Sequence, residues 1–484
     1  EQQIYKNRIK NISDKKIVKL LKINNKINKR KENFLQNQSI VKKLLGKNIK
    51  TNFNGLSIDS RQIKKDNLFL TLKGKKNDGN KFINDALKNG AGCVVSSLFK
   101  TKNKKFVRVK KPQSFLYNFA KLKRKNTCAK VISITGSAGK TSLKNLLSEL
   151  ISKFGTTYSS PQSFNNHYGV PISLSNLSFD DKFGIFEVGM SKAGEIRNLS
   201  KLVKPNIGVI TNIGEAHLEN FKNINEIAKA KSEIIENIES GGTIILNRDD
   251  KFFNYLSKKA RKYKIKIVSF GKNRKSDICI NKITKKKNYL KLVVKFHNHK
   301  LDLVVKDLNI HNVLASLAVL KELKLNLNRI KTVLKNIEPS EGRGKEYLIY
   351  RHRKKFRFID ESYNANPLSV ESAISRFSGI KKKNFKKYLI LGDMLELGSK
   401  SKIYHQKLSK VINSSDIDKV FIKGKKTIFT YKQLNKEKRG NVLQDIKDID
   451  FILKYMISNN DYLMIKGSNA TGLNEFSKRL IKGI

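Results

Sequence analysis

The chain has 484 residues, 101 of them Lys or Arg and 40 Asp or Glu, for a formal net charge of +61 at pH 7. A hydrophobic content of 39% suffices for real cores, so a wholly disordered basic tail is excluded, and the length suits three domains at about 100–200 residues each. No run approaches the roughly 18–20 uninterrupted apolar residues of a membrane-spanning helix, and Cys93, Cys128 and Cys279 lie far apart, which argues against a disulfide framework or structural zinc and for a reducing cytoplasm.

Residues 1–45 are dense in Lys and Asn, with a weak amphipathic stretch at Ile17–Leu21. They lack the charge–apolar–cleavage order of a signal peptide and read as a solvated basic extension over residues 1–48, with adsorption to an anionic membrane surface as the lesser alternative. From residue 50 short apolar runs alternate with turns. Between 129 and 330 strand-like and helix-like segments alternate, the pattern of a parallel α/β sheet. The expected strands are Val131–Thr135, Gly184–Val188, Ile207–Thr211 and Thr243–Leu246. After Gly342 a second alternation gives Tyr388–Gly392, Val420–Gly424 and Tyr462–Gly467. No internal repeat is found.

The sharpest local signal runs from Val131 to Ser142, where an apolar β-branched run enters Thr-Gly-Ser-Ala-Gly-Lys-Thr-Ser and a helix begins at once. Leu143, Leu146, Leu147, Leu150, Ile151 and Phe154 recur at helical spacing and give one apolar face. Such a turn aims unpaired N–H groups and the positive end of a helix at a phosphate. Lys140 can reach the β- and γ-phosphates and the Thr141 hydroxyl can bind Mg²⁺. Ile134 stands where the full phosphate-loop spacing has its first Gly, so a chance Gly-rich turn is the rival. Glu187 ends a second apolar strand, where a carboxylate suits Mg²⁺ and a buried ion pair is the alternative. His217, alone after the third strand, says little by itself.

These residues, in order, resemble the Mur ligases. The resemblance rests on the phosphate loop, Ser163-Phe-Asn165-Asn166-His-Tyr-Gly, Glu187-Val-Gly-Met-Ser-Lys-Ala-Gly-Glu195, Thr211-Asn-Ile-Gly-Glu-Ala-His217 and Ala228-Lys-Ala-Lys231-Ser-Glu-Ile. It continues through Asn309-Ile-His311-Asn312, Gly342-Arg343, Asp360-Glu-Ser-Tyr-Asn-Ala-Asn-Pro367, Leu391-Gly-Asp-Met-Leu-Glu-Leu-Gly398 and Ile465-Lys-Gly-Ser468, covering about residues 50–484. The Tyr-Asn-Ala-Asn-Pro and Leu-Gly-Asp-Met-Leu-Glu-Leu-Gly segments resemble the branch of the family that adds D-Ala-D-Ala.

The resemblance implies an α/β protein of three domains. They are a small UDP-binding domain (residues 49–115), a central ATPase-like parallel-sheet domain (116–338) and a C-terminal Rossmann-like domain (339–484). It implies carboxylate activation that depends on ATP and Mg²⁺: ATP phosphorylates the terminal carboxylate of a UDP-muramoyl tripeptide, and the D-Ala-D-Ala amine attacks the acyl phosphate. Gly136, Ser137, Ala138, Gly139, Lys140, Thr141 and Ser142 would hold ATP with Asn312, Arg343 and Asp360. Thr141, Glu187, His217 and Lys231 would serve two Mg²⁺ ions, Lys231 as a carbamate. Lys140, Lys231, His217 and Glu361 would act in catalysis, with the choice between Asp360 and Glu361 left open. Ser60, Arg61, Gly74 and Asp78 would take the uridine diphosphate, and Asn165, Asn166, Tyr363, Asn364 and Asn366 the remaining substrate. Ala138, Ala315, Asn80 and Asn469 depart from the family pattern.

Lys229 and Lys231, two apart on a helix, face nearly opposite ways, so only one can point inward. The charge itself first suggests nucleic acid. Lys outnumbers Arg about five to one, however, and the runs Lys15-Lys16, Lys104-Lys105, Lys285–Lys287 and Lys381–Lys383 are scattered. A phosphate-reading groove favours clustered Arg, and Lys, Asn and Ile share A/T-rich codons, so surface drift is preferred. The partners that the resemblance implies are small-molecule substrates, UDP-muramoyl tripeptide and D-Ala-D-Ala, of a cytoplasmic monomer, without nucleic acid or membrane insertion. A basic ATPase working on nucleic acid, or another Mur-type ligase, remains the rival.

Overall fold

The computed structural model describes residues 31–46, 53–74, 77–98, 105–286, 289–296, 299–381, 384–445 and 447–483. The stretch Ile17–Leu21 and Lys15, Lys16, Lys104, Lys287, Lys382 and Lys383 lie outside them. The chain forms two compact units, Glu1–Lys130 with Thr156–Gly184, and Val131–Gly155 with Ile185–Ile484.

The first unit is built on strands β1 (Leu56–Ser57), β2 (Leu68–Leu70), β3 (Cys93–Ser96) and β4 (Phe106–Arg108), parallel and in that order. Every side chain of β2 and β3 is buried, as expected of strands covered on both faces. The helix Pro112–Asn126 starts on a proline and ends on Arg124 and Lys125, whose charge complements its terminal carbonyls. Its Phe115 and Phe119 stack at 6.0 Å between centroids, and Phe119 meets Phe53 at 5.9 Å. The unit also carries the short strand β6 (Thr157–Ser159) and the helix Gly169–Ser175.

Residues 31–45 correct the expectation of a solvated extension. They form a helix whose Ile40 and Val41 are buried with Phe53, Leu56, Leu68 and Phe119. Its Asn37 donates to the Phe53 carbonyl at 3.1 Å and accepts from Lys123 Nζ at 2.8 Å. A few apolar residues in a Lys- and Asn-rich segment are enough when a partner surface is waiting.

The second unit holds two sheets. In the larger, β5 (Lys130–Thr135), β7 (Phe183–Glu187), β8 (Ile207–Ile210), β9 (Thr243–Asn247), β10 (Lys266–Gly271), β11 (Ile278–Lys285), β12 (Leu290–Phe296) and β13 (His299–Val305) lie in the order β13-β12-β11-β10-β9-β8-β5-β7. Pairing is parallel from β5 through β11 and antiparallel across β11, β12 and β13. Strand order reverses at β5, which lies between β7 and β8, and an open α/β sheet places its ligand at the carboxyl end of such a switch point. The helix Lys140–Ile151 follows β5 and buries Leu143, Leu146, Leu147, Leu150 and Ile151. At roughly 1.5–3 kcal/mol per buried side chain, that face fixes the helix and therefore the turn before it.

The smaller sheet has the order β14-β15-β19-β16-β17-β18, from β14 (Lys345–Arg351), β15 (Lys354–Glu361), β16 (Lys387–Gly392), β17 (Lys419–Lys423), β18 (Arg439–Leu443) and β19 (Tyr462–Lys466). Only the β14–β15 hairpin is antiparallel. Phe356, Phe358, Tyr388, Ile390, Phe421 and Leu463 form its core. The α/β class expected from the alternation is observed.

Candidate active site

The turn between β5 and the helix Lys140–Ile151 needs glycine at both ends. Gly136 has φ 148° and Gly139 φ 82°. A Cβ on Gly136 would stand 1.9 Å from Thr211 Oγ1, and one on Gly139 would stand 3.1 Å from Asn312 Oδ1. The turn is braced from β8 onward. Ser137 N and Ala138 N donate to the carbonyl and side-chain oxygens of Asn212 at 3.0 and 2.9 Å. Thr211 Oγ1 donates to the Ala138 carbonyl at 2.6 Å, and Ser137 Oγ donates to the Gly214 carbonyl at 2.8 Å. Asn312 Nδ2 reaches the Gly139 carbonyl at 3.3 Å, and Asn366 Nδ2 reaches the Ser137 carbonyl at 3.2 Å.

After this bracing, the amides of Gly139, Lys140, Thr141 and Ser142 donate to no protein acceptor among the described residues. They are the orphan N–H groups of a helix start, aligned with the positive end of its dipole, and they form an anion cradle.

Two lysines converge beneath it. Lys140 Nζ and Lys231 Nζ donate to the same carbonyl, that of Gly136, at 2.8 and 3.1 Å. Lys231 is 1% exposed whereas Lys229 is exposed, so Lys231 is the one that points inward. Burial, and then the charge of Lys140, push the Lys231 amine well below the usual lysine range. Burial also lowers Lys140, opposed by the carboxylates of Glu187 and Glu396. An amine with weakened proton affinity is a nucleophile near neutral pH.

Thr141 and Glu187 meet as the strand ends imply: Thr141 Oγ1 donates to Glu187 Oε2 at 2.6 Å, both residues buried. These are hard oxygen donors at the edge of the anion cradle, and they fit Mg²⁺. Among the described residues no three His, Cys, Asp or Glu side chains converge on a metal position, which fits an ion completed by phosphate oxygens and water. His217, at φ 57°, places Nδ1 2.6 Å from Glu396 Oε2, leaving Nε2 to face outward from that contact.

At the start of the smaller sheet, Asp360 is consumed by backbone: Oδ2 accepts from Gly342 N at 2.8 Å and Oδ1 from Ser362 N at 3.1 Å. The neighbouring Glu361 is buried between Arg376, with which it pairs, and Lys466, whose Nζ lies 3.3 Å from Oε2. Lys466 also donates to the Asn364 carbonyl at 2.6 Å. The Arg343 guanidinium stacks on Tyr363 at 4.1 Å from its ring centroid. Asn366 caps the helix Pro367–Ser378 through a reciprocal bond with Ser369. His311 Nε2 contacts Asp249 Oδ2 at 2.8 Å.

In the first unit, Ser60 and Arg61 follow β1, and Gly74 and Asp78 follow β2, so both pairs lie at carboxyl ends of adjacent parallel strands. Arg61 is exposed and forks onto Asp59 at 2.9 and 2.8 Å. Asp78 caps the turn through Asn80 N at 3.0 Å. Residues 75 and 76 of that loop lie outside the described residues. Asn166 Oδ1 accepts from Gly169 N at 2.9 Å and starts the helix Gly169–Ser175, with Asn165 beside it.

Sequence reasoning assigned no role to Glu396, Arg376, Lys466, Thr211 or Asn212. Glu396, Lys466, Thr211 and Asn212 stand inside motifs already singled out, but their partners are distant in sequence.

Comparison with known proteins gives a consistent result. Family models match three stretches: the Mur ligase family catalytic domain at residues 52–124, the Mur ligase middle domain at 134–320 and the Mur ligase glutamate ligase domain at 348–469. The UDP-N-acetylmuramoyl-tripeptide–D-alanyl-D-alanine ligase of Buchnera aphidicola is 33% identical over 89% of this chain and 93% of its own. That of Rickettsia prowazekii is 31% identical over 88% and 94%. Among solved structures, MurF from Acinetobacter baumannii is 25% identical with TM-score 0.79, covering 93% of this chain and 98% of its own. MurF ligase from Thermotoga maritima in complex with ADP is 25% identical with TM-score 0.74, covering 89% and 99%.

Proposed function

The chain belongs to the Mur ligase family, and we propose that it joins D-alanyl-D-alanine to a UDP-N-acetylmuramoyl tripeptide at the expense of ATP, a cytoplasmic step of peptidoglycan precursor synthesis. The observation that carries this reading is an open anion cradle beside the Thr141–Glu187 pair, in a chain 33% identical across 89% of its length to a ligase of that specificity.

The reaction needs a carboxylate made electrophilic. A terminal carboxylate oxygen of the tripeptide attacks the γ-phosphorus of ATP, ADP departs and an acyl phosphate forms. The amine of D-Ala-D-Ala then adds to the acyl carbon, loses a proton, and phosphate leaves as the amide bond closes. The amides of Gly139, Lys140, Thr141 and Ser142 hold the nucleotide phosphates. Lys140 Nζ, resting on the Gly136 carbonyl, turns toward the transferred phosphoryl group and stabilises its charge. Thr141 and Glu187 would hold one Mg²⁺ ion and His217 and Lys231 a second, and ions held there would neutralise charge on the phosphoryl oxygens.

Lys231 takes up CO₂ as a carbamate: its nitrogen lone pair forms the N–C bond and one proton is released, turning a buried amine into an oxygen-donor anion. Its burial and lowered proton affinity support this assignment. Asn312 and Arg343 serve the nucleoside, with Asp360 holding the Gly342–Gly344 turn that carries Arg343. Glu361 is the acidic group near the reaction, oriented by Arg376 and Lys466. Ser60, Arg61, Gly74 and Asp78 take the uridine diphosphate, and Asn165, Asn166, Tyr363, Asn364 and Asn366 take the muramoyl peptide and dipeptide. Three domains in a monomer, with boundaries near residues 49–115, 116–338 and 339–484, accord with this chemistry once the helices 31–45 and Pro112–Asn126 are counted with the first.

Incubating the protein with ATP, Mg²⁺, UDP-muramoyl tripeptide and D-Ala-D-Ala, then weighing the product by mass spectrometry, tests the proposal. A UDP-muramoyl pentapeptide is expected. Addition of single amino acids, with the dipeptide refused, would reassign the specificity.

A further inference from the structure

The helix Phe253–Lys262 connects β9 to β10 and packs on both. Leu256 and Ala260 are its buried contacts. Beside them Asn254, Ser257, Lys258 and Arg261 fall at i, i+3, i+4 and i+7 on one stripe. This polar, cationic stripe borders a cavity of 570 Å³, completed by Arg248, Phe253, Ile267 and Ser269 of β10, and Asp277. The volume falls within the roughly 300–1,000 Å³ of small-molecule sites.

Two features mark the cavity as built for a ligand. The Ser257 hydroxyl is buried, at 3% residue exposure, and has no hydrogen-bond partner among the described residues, although a helical serine can donate back to the preceding turn. Arg248, Lys258 and Arg261 have no carboxylate at ion-pair distance among the described residues. Asp277, a carboxylate in the lining, accepts at Oδ2 from Ser269 N at 2.7 Å and Ser269 Oγ at 2.5 Å, which ties it to β10. The Arg248 guanidinium covers the Phe253 ring at 4.9 Å and makes a flat wall, and Ile267 adds apolar surface. Among the described residues, the hydrogen bonds that brace the Gly136–Gly139 turn come from none of these side chains.

We propose that this groove is a second binding site, for a phosphorylated ligand of about mononucleotide size. The ligand's flat part lies along Arg248 and Phe253, its phosphate meets Lys258 and Arg261, and the Ser257 hydroxyl completes its contacts. The inference stands independently of the ligase reaction.

The test is calorimetric titration of AMP and of UMP into the full chain already saturated with Mg²⁺, ADP and UDP-muramoyl tripeptide, so that the anion cradle and the uridine diphosphate site are both filled. At least one of the two nucleotides is expected to bind once per chain, with inorganic phosphate competing and the parent nucleoside failing to bind. Lys258→Ala/Arg261→Ala should weaken it about tenfold or more while leaving ADP affinity and the unfolding midpoint unchanged. The proposal is overturned if neither nucleotide binds, if binding survives the double substitution, or if the nucleoside binds as tightly as its monophosphate.

Discussion

Replacing Glu396 by Ala separates two roles that the His217 contact combines. Glu396 Oε2 stands 2.6 Å from His217 Nδ1, and that bond, against opposing burial, holds the Glu396 carboxyl below its usual range. The pair is open to solvent, with side-chain exposures of 25% for His217 and 53% for Glu396, so its share of folding stability is no more than about 1 kcal/mol. Because the folded value is depressed, that share is present above the ordinary carboxylate pKa of about 4.3 and is lost as pH falls through the lowered value. Orientation is the larger effect. Holding Nδ1 fixes Nε2 as the nitrogen presented to a ligand, and carboxylate support of an imidazole ligand changes metal affinity by roughly 10–100-fold. Glu396→Ala should therefore raise the Mg²⁺ concentration for half-maximal phosphate release about tenfold, with the rate at saturating Mg²⁺ close to the parent's and the unfolding midpoint nearly unmoved. A Mg²⁺ curve superimposable on the parent's, in the same assay where His217→Ala shifts it, would refute the orienting role.

Lys231→Ala should lower ligase turnover by roughly 100-fold or more, on the scale of losing a group that acts at developing charge, and short carboxylic acids should restore part of it; near-normal activity without rescue would remove the carbamate from the account. Gly136→Ala places a Cβ 1.9 Å from Thr211 Oγ1, so the turn must open; a cost of about 1–3 kcal/mol in unfolding is expected, along with loss of the thermal shift normally produced by ADP. Lys123 is buried and its pKa is lowered to about 7 by burial, partly offset by Asp181. The unfolded chain therefore binds more protons between about pH 7 and 10.4, and stability should rise across that window by about 3–5 kcal/mol. Lys123→Met should flatten the rise in chemical-denaturation curves; an unchanged slope would exclude Lys123 as its source.

The phosphate turn was legible because its residue types meet local demands. Gly136 and Gly139 answer positive φ and close neighbours, and the apolar face from Leu143 to Ile151 makes the helix start unambiguous. Strand ends likewise placed Thr141 near Glu187. The β11–β13 extension and the β14–β15 hairpin were not read: β11 and β14 mix Lys with apolar residues and alternate weakly, although β12 and β13 do place alternate residues inside. The helix 31–45 was hidden by composition, since only its contacts with Phe53 and Phe119 reveal why Ile40 and Val41 matter. Glu396 and Arg376 were missed for a different reason: a pairing across 179 positions with His217 or across 15 with Glu361 leaves no local pattern. The +61 charge gave the least guidance, as the site depends on a few buried lysines rather than on the exposed majority.

The central claim is tested most directly by phosphate release from ATP, measured with UDP-muramoyl tripeptide and D-Ala-D-Ala together, each alone, and with DNA or RNA in their place. Sustained release only when both peptide substrates are present is the expected result. Turnover indifferent to the dipeptide, or stimulated by nucleic acid, would contradict it.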